Sequence, residues 1–122
     1  MSKRILVVED QEDNRLILRR LLSTAGYDLI EAANGEDGVA LALSQRPDLI
    51  VMDIQLPVID GYEATRRIKS NAEIRSIPVI AVTSYALSGD ETKARAAGCD
   101  AYVAKPFSPR QLLAKIREYL PS

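Results

Sequence analysis

Five times along this chain a short apolar run gives way to a helical pattern, and that alternation restricts the fold more than any other feature. The runs cover residues 5–8, 28–32, 49–53, 79–83 and 101–104. Runs of four or five residues rich in apolar side chains and bounded by polar ones read as strands buried in a sheet. The first helical pattern, about 12–25, puts Ile17, Leu18, Leu21, Leu22 and Ala25 on one face, and Gly26 supplies its stop. The second, 35–45, turns Val39, Ala42 and Leu43 inward, with Pro47 just past its end. The third starts at Gly61-Tyr62 and buries Ala64, Thr65 and Ile68. The fourth, 88–97, is mostly alanine and charge, and ends at Gly98. The fifth opens on Ser108-Pro109, a capping residue followed by proline at the first helical position. It carries the cleanest stripe: Leu112, Leu113, Ile116, Tyr119 and Leu120. Strands alternating with helices require crossover connections. The expected fold is therefore α/β, a doubly wound, five-stranded parallel sheet with five helices.

A chain of 122 residues suits one domain, 1–122, and no Gly/Ser linker divides it. The fifth helix reaches Leu120, so no output domain is expected. A formal net charge of -1 does not favour nucleic acid or an anionic membrane surface. No apolar stretch approaches the ~20 residues needed to span a bilayer. Met1-Ser2-Lys3-Arg4 is not followed by the long apolar region of a signal peptide, so a cytoplasmic protein is expected. Cys99 is the single cysteine and there is no histidine. Intrachain disulfides, thiolate clusters, His-ligated zinc and Ser-His-Asp catalysis are thereby excluded. Chemistry must run on carboxylates, hydroxyls, lysine and a metal they hold.

The polar residues that end the strands are of several kinds. Strand one runs into Glu9-Asp10, strand three ends in Asp53, strand four in Thr83, and strand five runs into Lys105-Pro106. In a parallel sheet these ends share one edge, where α/β proteins bind ligands. If strands one and three are neighbours, three carboxylates meet in one crevice. Each close like-charge pair then costs about 4 kcal/mol at an effective dielectric of about 20. A divalent cation would offset that. Acids, a hydroxyl and an ammonium together suit phosphoryl transfer: a carboxylate nucleophile, a hard cation, and donors for the phosphoryl oxygens. Taken singly, each residue has a plainer reading. Glu9, Asp10 and Asp13 suit a helix N-terminus, Asp53 a strand end, Thr83 a β-branched strand residue, Tyr102 a packing aromatic, and Lys105 a solvated surface charge. Cys99 reads as a small core residue.

As a set, in this order and spacing, Glu9-Asp10, Asp53 with Pro57 and Gly61, Thr83, Tyr102 and Lys105-Pro106 resemble the response-regulator receiver domains of the CheY-like superfamily, over essentially the whole chain. The resemblance is greatest to stand-alone regulators of the cell-cycle type and to receivers of hybrid kinases. It implies a flavodoxin-like sheet of order 2-1-3-4-5 and Asp53 as phosphoacceptor. It implies Mg²⁺ (Mn²⁺ substituting) held by Asp10, Asp53 and the backbone carbonyl of Gln55, with Glu9 acting through water. Thr83 and Lys105 would contact the phosphoryl group, Thr83 and Tyr102 would form the switch, and the Lys105–Pro106 peptide would be cis. The phosphodonor would be a sensor histidine kinase or histidine phosphotransfer protein, and the output a downstream protein target. The domain would be a monomer or weak dimer that turns over no metabolite. Partners of receivers commonly dock on the first helix and the loop after strand five, here Asn14, Arg15, Leu16, Leu18 and Phe107. This chain departs from the commoner pattern in its Glu-Asp pair, which sets one carboxylate a methylene further out, and in Ser84 after Thr83. Gln55 and Tyr85 occupy the family's variable positions. Segment 84–98 has Leu87 nearly alone among alanines, so with Tyr102 it is the expected phosphorylation-responsive face.

Two other readings compete. A Mg²⁺-dependent phosphatase with an aspartyl nucleophile wants a second acid two residues after it, where this chain has Gln55. A flavodoxin-like nucleotide or flavin binder wants glycines after strand one, where this chain has Glu9-Asp10-Gln11-Glu12-Asp13. A receiver fold that binds partners without phosphorylation is a third possibility, made less attractive by the full set of acids.

Overall fold

The computed structural model describes residues 2–83 and 90–121. Its elements are β1 (Arg4–Val8), α1 (Glu12–Thr24), β2 (Asp28–Ala32), α2 (Gly35–Gln45), β3 (Leu49–Asp53), α3 (Gly61–Lys69), β4 (Val79–Thr83), α4 (Asp90–Ala97), β5 (Ala101–Ala104) and α5 (Pro109–Tyr119). The strands form one parallel sheet in the order β2-β1-β3-β4-β5. The parallel five-stranded sheet is the one the alternating pattern predicts, and its order is the one the resemblance implies. No helix among the described residues is long and apolar enough to cross a membrane.

Successive strand residues point to opposite faces, so each central strand feeds two cores. Leu6, Val8, Ile50, Met52, Val79 and Ala81 pack on one face with Ala42 of α2, Ala64 and Ile68 of α3, and Ala94 of α4. Ile5, Val7, Leu49, Val51, Ile80 and Val82 pack on the other with Leu18 and Leu22 of α1 and Leu112 and Ile116 of α5. β3 and β4 are buried at every position.

Capping sets where the helices begin. The Asn34, Asp60 and Ser108 side chains accept hydrogen bonds from the Asp37, Glu63 and Gln111 N–H groups. At α5, Gln111 answers by accepting from the Ser108 N–H, completing a capping box behind Pro109. Gly61 lets α3 start hard against the end of β3. A Cβ there would meet the Asp53 carbonyl oxygen and come within 2.7 Å of the Ile54 Cα.

Two helical phases differ from the sequence expectation. Ile17 is 62% exposed, although the apolar pattern placed it inward. At about 100° per residue, Leu18, Leu21, Leu22 and Ala25 cluster within one face, and Ile17 falls about a quarter-turn off its centre. Leu43 is likewise exposed. α2 seats on Gly35, Gly38 and Ala42 instead, because a bare glycine lets the helix approach β1. A Cβ on Gly38 would lie 2.8 Å from a Val8 methyl. The expected start of the fourth helix at Ser88 lies outside the described residues, as do Ser84, Tyr85 and Leu87.

Candidate functional site

Strand register assembles the site. Val8 lies beside Met52, so the residues that follow them, Glu9 and Asp53, leave the sheet side by side. Thr83 lies beside Ala104, which brings Lys105 to the same edge, its N–H donating to the Thr83 carbonyl at 2.6 Å. The carboxylates of Glu9, Asp10 and Asp53 each offer an oxygen within 4.8 Å of the others. Glu9 is 2% exposed and Asp53 5%, while Asp10 is half-buried. Lys105 Nζ stands 3.3 Å from Glu9 Oε1 and 3.5 Å from Asp53 Oδ2. The Lys105–Pro106 peptide is cis.

One ammonium does not balance three carboxylates, and the titration of the site reflects it. Burial, then the Glu9 charge, pushes the Asp53 carboxyl up to about 6, against a pull down from Lys105 and the Gln55 N–H. Burial raises Glu9 as well. The Gln11 N–H, the Lys105 ammonium and hydrogen bonds with the Asp53 and Asp10 carboxyls outweigh it, so Glu9 ends below the usual carboxylate range. An all-oxygen donor set with surplus negative charge fits a hard divalent cation such as Mg²⁺. Asp10, Asp53 and Glu9 are the side chains that would hold it.

Backbone donors and one arginine fix the acids in place. The Gln11 N–H donates to Glu9 Oε2 at 2.9 Å, and the Gln55 N–H to Asp53 Oδ1 at 3.1 Å. Arg15 Nη1 donates to the Glu9 carbonyl at 2.7 Å, and its Nε lies 3.6 Å from Glu31 Oε1 on β2. The Gln55 carboxamide donates to the Thr83 hydroxyl, and Thr83 is fully buried. This Gln55–Thr83 bond had no sequence signal, because Gln55 lies in the loop after β3 and Thr83 ends β4, and only the β3–β4 pairing brings them together. Tyr102 lies farther down β5, beside Ala81, half-buried against the first core. Asp13 is a first-turn acid of α1. Cys99 is buried with its thiol 3.7 Å from the Thr65 hydroxyl, and burial pushes that thiol up.

The residues expected to meet a partner are split by the fold. Leu16 is 36% exposed on α1, and Phe107 is half-buried beside the acids. Leu18 is 7% exposed and belongs to the second core, because it sits at the centre of the buried face of α1; it is not a surface residue. Arg15 is turned inward onto Glu9 and Glu31. Ile17, which the pattern had placed inside, is presented beside the acids together with Asn14, Pro106 and Phe107.

Comparison with known proteins agrees with this geometry. The family model described as response regulator receiver domain matches residues 5–117. The chain is 46% identical over 120 residues to the polar-differentiation response regulator DivK of Brucella anthropi, covering 98% of each. It superposes on the receiver domain of sensor histidine kinase PA1611 from Pseudomonas aeruginosa, whose crystal structure has magnesium coordinated in the active-site cleft. There the TM-score is 0.92 and the identity 38%, with all of both chains covered. It also superposes on chemotaxis protein CheY4 of Vibrio cholerae with a TM-score of 0.91 at 26% identity, covering 98% of this chain and 99% of that one. Strand order, the acid–lysine cluster at the sheet edge and these likenesses agree: the chain belongs to the response regulator receiver domain family.

Proposed function

We propose that the domain accepts a phosphoryl group on Asp53 from a phosphohistidine donor, a sensor histidine kinase or a histidine phosphotransfer protein, and thereby changes which protein it binds. The observation that carries this reading is a buried carboxylate, Asp53, within 4.8 Å of Glu9 and Asp10 and 3.5 Å from the Lys105 ammonium. An Asp53 oxygen is the nucleophile. Asp10, Asp53 and the Gln55 carbonyl would hold Mg²⁺, or Mn²⁺ in its place, with Glu9 acting through water; when bound, the metal neutralises charge on the phosphoryl oxygens. Lys105 supplies a fixed positive charge beside the same oxygens, and the Thr83 hydroxyl a donor. The Thr83 hydroxyl accepts from the Gln55 carboxamide and keeps its own O–H to donate to a phosphoryl oxygen, and Tyr102 on the neighbouring strand is the aromatic that answers it. The domain works in the cytoplasm, as a monomer or weak dimer, and turns over no metabolite. Gln55 stands where an aspartyl phosphatase needs its second acid, so the phosphatase reading is not favoured.

The test is the intact mass of wild type and Asp53→Asn after exposure to a small acyl phosphate and Mg²⁺. A phosphoryl-sized gain in wild type alone, removed by hydroxylamine, is expected. An unchanged wild-type mass, or an equal gain in both proteins, refutes the proposal.

The donor protein docks on Asn14, Ile17 and Phe107 beside the acids and on the exposed Leu16 of the same helix. Leu16→Asp is expected to slow phosphotransfer from a phosphohistidine protein about tenfold or more while leaving the rate with a small donor alone. Equal slowing with both donors argues against the surface.

A further inference from the structure

A cavity of about 450 Å³ opens beside Asp53, between α1 and the loop after β5. Its inner end is charged, with Glu9, Asp53 and Lys105. Its walls are apolar, formed by Ile17 and Leu18 from α1 and by Pro106 and Phe107 from the loop. Cavities of roughly 300–1,000 Å³ hold whole small molecules, so a phosphoryl group occupies only the charged end. The remaining wall is hydrophobic, and Ile17 is held on it 62% exposed to water. A large branched side chain in that setting is stabilised when an apolar ligand covers it.

Resting on the reading of Asp53 as phosphoacceptor, we infer that this wall is a leaving-group subsite. It selects phosphodonors whose leaving group carries a flat aromatic ring, such as aromatic acyl phosphates, over small aliphatic ones. The charge pattern suits such a molecule from end to end. Its phosphoryl group lies by Lys105, and its ring lies between Ile17 and Phe107, where aromatic and aliphatic contacts add to burial. In the transfer, an Asp53 carboxylate oxygen forms the new bond to phosphorus. The bond from phosphorus to the acyl oxygen breaks, and the electron pair leaves with the aromatic carboxylate. Atoms and charge balance without a further reactant. Ile17 and Phe107 are specificity residues for the donor and take no part in the bond changes.

The experiment compares initial rates of phosphorylation, in Mg²⁺, with benzoyl phosphate and acetyl phosphate at equal concentration. Each rate is measured for wild type, Ile17→Ser and Phe107→Ala. The two donors react by the same bond changes, and the benzoyl-to-acetyl ratio cancels effects on folding or metal binding. The wild-type ratio is expected to exceed that of Ile17→Ser by about tenfold, with Phe107→Ala moving the same way. Equal ratios in all three proteins overturn the subsite. If neither donor phosphorylates wild type, the reading of Asp53 fails, and benzoate titrated into ¹⁵N-labelled protein decides the subsite by itself. Amide shifts at Ile17 and Phe107 that vanish in Ile17→Ser retain it as an aromatic carboxylate site, and their absence in wild type removes it.

Discussion

Asp53 is a residue whose fold works against its own charge. In the unfolded chain it titrates near 3.8, and in the folded, metal-free protein near 6. Between those values the folded state holds the extra proton. The Asp53 contribution to stability therefore falls as pH rises from about 4 to about 6, by up to about 3 kcal/mol. Glu9, with its pKa lowered, acts in the opposite sense: its contribution is present above the ordinary carboxylate value and is lost as pH falls. Asp53→Asn removes the first effect. In urea denaturation without metal it is expected to be more stable than wild type at pH 8, with the gain shrinking toward pH 5. Added Mg²⁺ should raise the wild-type midpoint and move that of the variant much less. Equal midpoints for the two proteins at pH 8 and at pH 5 would contradict the electrostatic account. The identity of these acids was legible in the sequence, because strand-ending carboxylates stand out against apolar runs. The inward turn of Arg15 was not legible, since it depends on Glu31 arriving on the adjacent strand.

Elements were legible to the extent that their pattern was written in large apolar residues. α5, with its Ser108 cap and its leucine stripe, folds where the sequence placed it. α2 seats on Gly35, Gly38 and Ala42, a contact made by the absence of side chains, which hydrophobic periodicity does not register. In α1 an apolar residue at the margin of the stripe can fall either way, and the sheet beneath decided that Ile17 faces water. Gly61 belongs to this scale because it seats the start of α3 against the end of β3, where Asp53 lies. Its N–H donates to the Ile54 carbonyl at 3.0 Å, and an added methyl would strike the backbone of Asp53 and Ile54. Gly61→Ala is expected to cost about 1–3 kcal/mol in urea denaturation and to weaken stabilisation by Mg²⁺, since the strand end must shift. Wild-type stability with wild-type response to Mg²⁺ would show that the approach is not needed.

The whole molecule is a sheet with two cores that hold one edge rigid. Four strand ends, β1, β3, β4 and β5, bring their residues to that edge, and the edge strand β2 contributes only Glu31 behind Arg15. Parallel pairing puts these strand ends on one edge, and the adjacency of β1 and β3, which the resemblance implied, closes Glu9, Asp10 and Asp53 into one cluster with Lys105. The cavity walled by Ile17 and Phe107 could not be anticipated, because it depends on the angle at which α1 and the loop after β5 pack. The central claim is that this edge exists to load Asp53, and the most direct measurement is chemical trapping of the loaded residue. Protein phosphorylated in Mg²⁺ is reduced with borohydride, which converts an aspartyl phosphate to homoserine, and the modified residue is located by peptide mass spectrometry. The account predicts homoserine at position 53 and at no other aspartate. Reduction at Asp10, at the corresponding carbon of Glu9, or at no residue of the cluster would contradict it.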